Sequence, residues 1–175
     1  MDSPPRSLRL YGLILLILFI LAGLGWVNYR LAAQNEGGRS FLIYWVSARA
    51  LIVDGDDPYS EEVAADIQAA IREHSVKPPP FHRFTAPLYA LLLFLPFALV
   101  EDFALAQALW MLFLELSLGL LILACWRLVK WRANAWNAPI YLLFALTWIH
   151  SLFALWEGSD VILVALLLAA FLALF

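Results

Sequence analysis

Apolar runs long enough to cross a bilayer constrain this chain more than any other feature. A helix needs about 20 such residues to span the hydrocarbon core. Residues 8–27, 103–128 and 138–156 reach or approach that length, and 160–175 begin a fourth run that stops about a turn short, as expected for the front part of a longer polypeptide. Charged residues make up 14% of the chain, against about one in four in soluble domains. The expected fold is therefore all-α, a polytopic membrane protein with about four transmembrane helices. Arg6 and Arg9 precede the first run, but its apolar core, 10–27, exceeds the roughly 7–15 residues of a signal peptide and reads as a retained anchor. A net charge of −3, with no basic patch interleaved with aromatics, excludes a nucleic-acid partner. The single cysteine, Cys125, rules out an intrachain disulfide and is expected to be a small buried hydrophobe.

Charge placement orients the spans, because Lys and Arg near helix ends favour the cytoplasm. Arg6 and Arg9 place the amino terminus inside, and Arg127, Lys130 and Arg132 should lie on the same side. That parity holds only if the shorter apolar run 86–100, weakened by Pro96, does not span but lies flat on the outer face. The path becomes span 8–27 outward, an external segment 28–102, span 103–128 inward, span 138–156 outward and 160–175 inward. Trp26, Trp45, Trp126, Trp131, Trp136 and Trp156 then fall near boundaries, where amphipathic rings are favoured. The localisation that follows is a multi-pass cell-membrane protein with the bilayer itself as a partner.

The external segment concentrates the chemistry. Residues 28–83 hold eight of the fourteen acids and six of the eleven bases. A helix is expected over 41–53, lying on the bilayer or on other helices, with Phe41, Tyr44, Trp45, Ala48 and Ile52 on one side. Gly55 to Pro58 break it. Ser60 caps a second helix, 60–74, with Glu61 and Glu62 in its first turn and Val63, Ile67 and Ile71 as its apolar stripe. Lys77-Pro-Pro-Pro80 ends that helix.

Three stretches carry a family resemblance: Ser40-Phe-Leu-Ile-Tyr44 with Ala48-Arg49-Ala50-Leu51, the turn Gly55-Asp-Asp-Pro-Tyr59, and Phe84-Thr-Ala-Pro-Leu-Tyr89. With the span order, they make the chain resemble the GT-C superfamily of membrane glycosyltransferases, most closely the polyprenol-phosphate-sugar-dependent enzymes of family 87. The resemblance implies transfer of a sugar from a polyprenyl-phosphate donor to a glycan or lipid acceptor outside the cytoplasm. It places the family's catalytic Asp on Ser40 and motif tyrosines on Tyr44 and Tyr59. A proline-motif tyrosine falls on Ala86, and a Gly-Gln pair on Glu157-Gly158.

A serine has no basic form near neutral pH, so another carboxylate would have to take the acceptor's proton. Glu36, Asp56 and Asp57 are the available substitutes; the alternative is that Glu36 is a solvated loop acid and that Asp54, Asp56 and Asp57 cap a turn. Arg39, Arg49, His82 and Arg83 could grip the donor phosphate, or anchor at the interface and pair with the loop's acids. Glu157 and Asp160 could line the acceptor site. The donor arrives through the bilayer, so no nucleotide loop is needed and no cofactor is expected; the acidic turn has too few ligands to claim a metal.

Glu115, with Gln107 and Met111 on its face, and Thr147, His150 and Ser151 on the next span are ionisable or polar groups inside apolar runs. Such groups pair helices or mark a path. Besides the glycosyltransferase, the sequence thus admits a non-catalytic subunit or scaffold of the same fold, and a transporter fragment using Glu115 and His150.

Overall fold

The computed structural model describes residues 6–34, 37–73, 82–129 and 137–174. Its elements, in order, are α1 (Arg6–Ala32), α2 (Arg39–Arg49) running into a π-turn (Ala50–Asp54), α3 (Glu61–Glu73), a 3-10 turn (Leu88–Leu93), the single turn α4 (Leu95–Ala98), α5 (Phe103–Val129), α6 (Asn137–Thr147), α7 (Ile149–Glu157) and α8 (Val161–Leu174). Among the described residues there is no strand, so the fold is all-helical. Two helices are long and apolar enough to cross a membrane, Leu10–Ala32 and Phe103–Leu128. The bent pair α6–α7 gives a third if it counts as one span, while the apolar part of α8, Val161–Ala173, is shorter.

The first helix runs past the expected end at 27 through Ala32. Its continuation is not solvated loop: Asn28 is buried and donates from Nδ2 to Glu115 Oε2 at 3.1 Å. Arg30 lies over the Trp26 ring, one turn back, at 5.7 Å. Further along, the turn after α1 brings Gly38 against the Gln107 side chain. Moving forward from Asn28 to Gly38 therefore means moving backward along α5 from Glu115 to Gln107, so α1 and α5 are antiparallel.

That register relocates Glu115. The exposed apolar side chains of α1 extend from Leu10 to Val27, about 27 Å of helix, close to the roughly 30 Å of a hydrocarbon core. Asn28 and Glu115 stand at the carboxy-terminal end of this exposed apolar stretch of α1, although Glu115 is central in its own apolar run. Beyond them, the first three turns of α5 pack against α2 and α4. There Trp110 is 0% exposed, ringed by Phe41 at 5.7 Å, Phe94 at 4.5 Å, Phe97 at 5.2 Å and Phe113 at 5.6 Å between ring centroids.

Around that mast α2, α3 and α4 pack as elements of a core. In α2, Phe41, Leu42, Ser47 and Ala48 are all buried, so the helix is enclosed by protein instead of resting one face on the bilayer. Ile52, expected on the Phe41 side, is exposed. The π-turn adds a residue to that turn and rotates Ile52 off the face. Gly55, at φ 78°, stops the helix, and the Asp56 N–H reaches back six residues to the Ala50 carbonyl at 2.9 Å. Ser60 Oγ accepts from the Val63 N–H at 3.2 Å, and Val63, Ile67 and Ile71 are buried as their spacing predicts.

Residues 86–100 do not form the single surface helix expected. They fold as the 3-10 turn followed by α4, with Pro96 in the first turn of α4, where a missing N–H costs nothing. The segment buries Leu91, Phe94 and Ala98 and leaves Leu88, Tyr89, Leu92 and Leu99 facing outward. The span expected over 138–156 is likewise divided. Trp148 is extended, at φ −60° and ψ 128°, and the halves meet at 47°. Thr147 Oγ1 donates to its own Leu143 carbonyl at 2.7 Å, a back-bond that bends helices. Cys125, expected to be buried, is exposed.

Candidate functional site

Three glycines in the left-handed region dock the start of α2 against the end of α7. Gly37 and Gly38, at φ 87° and 70°, form the turn before α2, and Gly158, at φ 66°, ends α7. The Gly38 N–H donates to the Trp156 carbonyl at 2.8 Å. A Cβ on Gly37 would lie 2.7 Å from Trp156 Nε1, and one on Gly158 would lie 2.7 Å from Phe41 Cβ. Trp110 Nε1 donates to the Gly158 carbonyl at 2.9 Å in a fully buried bond. The first turn of α2, carrying Arg39 and Ser40, is therefore clamped beneath the Trp156–Gly158 turn.

This clamp sets one face of the site. Ser40 and Tyr44 are four residues apart on one side of α2. The Tyr44 ring stacks on Phe94 at 4.3 Å and meets Phe84 edge-on at 5.8 Å. Its hydroxyl is held above the ordinary tyrosine value, first by burial and second by the negative field of Asp160. Glu157 and Asp160 are both half-buried and flank the residues to which Gly38 and Phe41 are docked. Ser40, Tyr44, Glu157 and Asp160 thus lie together where α2 meets the turn between α7 and α8, although they come from segments far apart in the chain.

The other two motif stretches also pack on each other. The Tyr59 hydroxyl donates to the Ala86 carbonyl at 2.8 Å, and its ring lies 5.3 Å from Phe84. Phe84 therefore touches both motif tyrosines. Asp57 Oδ1 accepts from the Tyr59 N–H at 3.0 Å, a local turn bond. Asp56 and Asp57 follow the far end of α2 and its π-turn, roughly 20 Å of helix from Ser40, so the fold does not bring them to it. Glu36 lies outside the described residues.

The candidate phosphate-gripping cations are dispersed. Arg49 Nη1 donates to the Ala98 and Val100 carbonyls at 3.0 and 3.4 Å, and its guanidinium lies 5.1 Å over the Trp45 ring. Trp45 Nε1 joins it on the same backbone, at 3.2 Å from the Phe97 carbonyl and 3.3 Å from that of Val100. Together they satisfy carbonyls at the end of α4 that helix geometry leaves open. Arg83 pairs with Glu61 at 3.6 Å on the exposed surface, an interaction worth little in water. The His82 carbonyl accepts from Gln68 Nε2 at 2.6 Å. Arg39 is exposed beside Ser40 and is the candidate cation nearest that face in sequence. Among the described residues no group of three or more His, Cys, Asp or Glu side chains could hold a metal ion.

The groups expected to meet Glu115 do otherwise. Glu115 accepts from Asn28, Thr147 bonds within its own helix, and His150 is exposed with its ring 5.9 Å from Trp148. Several residues that build the site were not singled out by sequence reasoning: Asn28, Gly37, Gly38 and Trp110. The Gly-Gly pair just before α2 was their one local signal, since adjacent glycines mark a turn that other residues cannot adopt. Comparison with protein-family models, with curated proteins and with solved structures gives no match.

Proposed function

We propose that the protein is a glycosyltransferase module of GT-C type in the cell membrane, with its amino terminus cytoplasmic and α1, α5, the α6–α7 pair and α8 as four spans. Its external face takes a sugar from a polyprenyl-phosphate donor and passes it to a glycan or lipid acceptor. The observation that supports this reading is the convergence of the motif stretches: Phe84 joins Tyr44 to Tyr59, Tyr59 is bonded to Ala86, and the turn ending in Asp160 lies over the start of α2. In the reaction, an acceptor hydroxyl attacks the anomeric carbon and the carbon–oxygen bond to phosphate breaks. Polyprenyl phosphate departs, and a carboxylate takes the acceptor's proton. Asp160 is the carboxylate whose field reaches Tyr44, and it takes the base role that Ser40 cannot.

Ser40 also supports a second reading, a non-catalytic scaffold that keeps the fold. Purified protein in liposomes, supplied with radiolabelled polyprenyl-phosphate sugar and total membrane lipid and glycan acceptors, separates the two. Transfer that is lost in Asp160→Asn supports the enzyme with Asp160 as base. Transfer lost instead in Glu36→Gln moves the base to Glu36. No transfer from the native chain, with activity appearing in Ser40→Asp, supports the scaffold; none from either ends the glycosyltransferase reading.

A further inference from the structure

Tyr44 and Asp160 meet without a bond of their own. Burial acts on the Tyr44 hydroxyl first and the negative field of Asp160 second, and no hydrogen bond between the two contributes. One belongs to α2 and the other to the turn before α8, so their separation is set by whatever holds each of those pieces. The same side chain holds both.

On one side, the Trp110 ring lies 4.5 Å from that of Phe94, and Phe94 stacks on Tyr44 at 4.3 Å with the rings 10° from parallel. Trp110 also stacks on Phe41, three residues before Tyr44 on α2, at 5.7 Å. On the other side, the indole N–H donates at 2.9 Å to the carbonyl of Gly158, two residues before Asp160. The Gly158 backbone lies against the ring, since a Cβ there would stand 3.3 Å from Trp110 Cδ1 and 3.4 Å from Nε1. Only Ser159 separates this anchored glycine from Asp160, whose own carbonyl accepts from the Leu163 and Val164 N–H groups at 2.9 and 3.1 Å and so opens α8. Asp160 is thus tied to the turn on one side and to α8 on the other.

An indole suits this double task because it is a rigid plate with a single donor on its edge, so its face and its N–H act in different directions. We propose that Trp110 is a positioning residue: it sets the separation of Tyr44 from Asp160, through Phe94 with its ring and through Gly158 with its N–H. Trp110 is 0% exposed, so it touches no substrate and acts only through these two neighbours. Calling Asp160 the base rests on the glycosyltransferase reading, in which a misplacement of about 1 Å costs about 100-fold in rate; the geometry stands without it.

The test is a titration of Tyr44 in the full chain in detergent. It is read as the phenolate absorbance of each protein minus that of the same protein carrying Tyr44→Phe, over the range in which helical circular dichroism holds. Asp160 raises the Tyr44 value, so Trp110→Phe, which frees the Gly158 turn while keeping a ring against Phe94, should lower the midpoint. The shift should not exceed that of Asp160→Asn, and it should vanish when Trp110→Phe is made on an Asp160→Asn background. Gly158→Ala displaces the same turn from another side, because its Cβ would lie 2.7 Å from Phe41 Cβ; it should give the same pattern and decides the matter if Trp110→Phe does not fold. An unmoved midpoint would overturn the proposal. So would a shift that persists on the Asp160→Asn background, because Trp110 would then act on Tyr44 through burial alone. The titration needs no sugar transfer, so its failure and the failure of the glycosyltransferase reading are told apart.

Discussion

Replacing Trp110 probes the joint that holds α2 and α4 to α5. The ring is fully buried among Phe41, Phe94, Phe97 and Phe113, and its indole N–H is the donor to the Gly158 carbonyl. Trp110→Phe keeps an aromatic ring in the cluster but leaves that carbonyl buried without a donor, at a cost of about 1–3 kcal/mol. Trp110→Ala loses the same bond and also the ring, which adds about 3–5 kcal/mol for a large aromatic removed from a packed core. The sum, about 4–8 kcal/mol, is a large part of the roughly 5–15 kcal/mol that holds a typical domain together. Unfolding in mild detergent, followed by helical circular dichroism, should rank the proteins native, Trp110→Phe, Trp110→Ala. Trypsin should cut at Arg49 sooner in the alanine variant, because α2 loses the surface on which Phe41 stacks. A Trp110→Ala protein within about 1 kcal/mol of native would show that the ring does not join these helices. A Phe variant as damaged as the Ala variant would show that packing around the ring contributes nothing beyond the hydrogen bond.

Three other outcomes are expected. Asn28→Leu strips Glu115 of its donor and should cost about 1–3 kcal/mol, whereas Asn28→Leu combined with Glu115→Leu should recover most of the loss; a double-mutant cycle showing no coupling would remove this pair from the register argument. Tyr44 has its folded value above 10.0, from burial first and Asp160 second, so the unfolded chain ionises before the folded one. Its contribution to stability is complete below pH 10 and is lost as pH rises through the folded value; phenolate absorbance of native protein minus Tyr44→Phe should rise later than that of free tyrosine, and Asp160→Asn should bring it only part of the way back. In a Cys125→Ser background, a membrane-impermeant maleimide applied to intact cells should label Asp57→Cys and leave Lys130→Cys untouched; the reverse pattern would invert the proposed topology.

The helical class, the apolar lengths of α1 and α5 and the amino-terminal cap of α3 were legible because each rests on local chemistry: apolar length, a Ser60 hydroxyl one turn before Val63, a stripe at spacings of four. What escaped was long-range. Nothing near Ala32 in the sequence reveals that Asn28 will find Glu115, so the first helix looked as if it ended at the first polar residue. Likewise, a run of 26 apolar residues looks the same whether lipid or protein surrounds it. Only the aromatic ring around Trp110 shows that the early turns of α5 are packed in protein. The site shares this limit. Tyr59 and its turn could be read from Gly55 and Pro58, but the approach of Asp160 to Tyr44 depends on three left-handed glycines fitting against side chains far away in the chain.

The buried bond between Trp110 and Gly158 joins residues 48 positions apart, and the bond from Gly38 to Trp156 spans a still longer stretch. Both acceptors are synthesised after the helices they secure. During synthesis α2 and α3 emerge with their aromatic surfaces uncovered, and the fold around them cannot close until α7 has arrived. Phe41, Phe94 and Trp110 must therefore stay soluble or chaperoned through that interval, so this part of the fold is completed by its last-made piece.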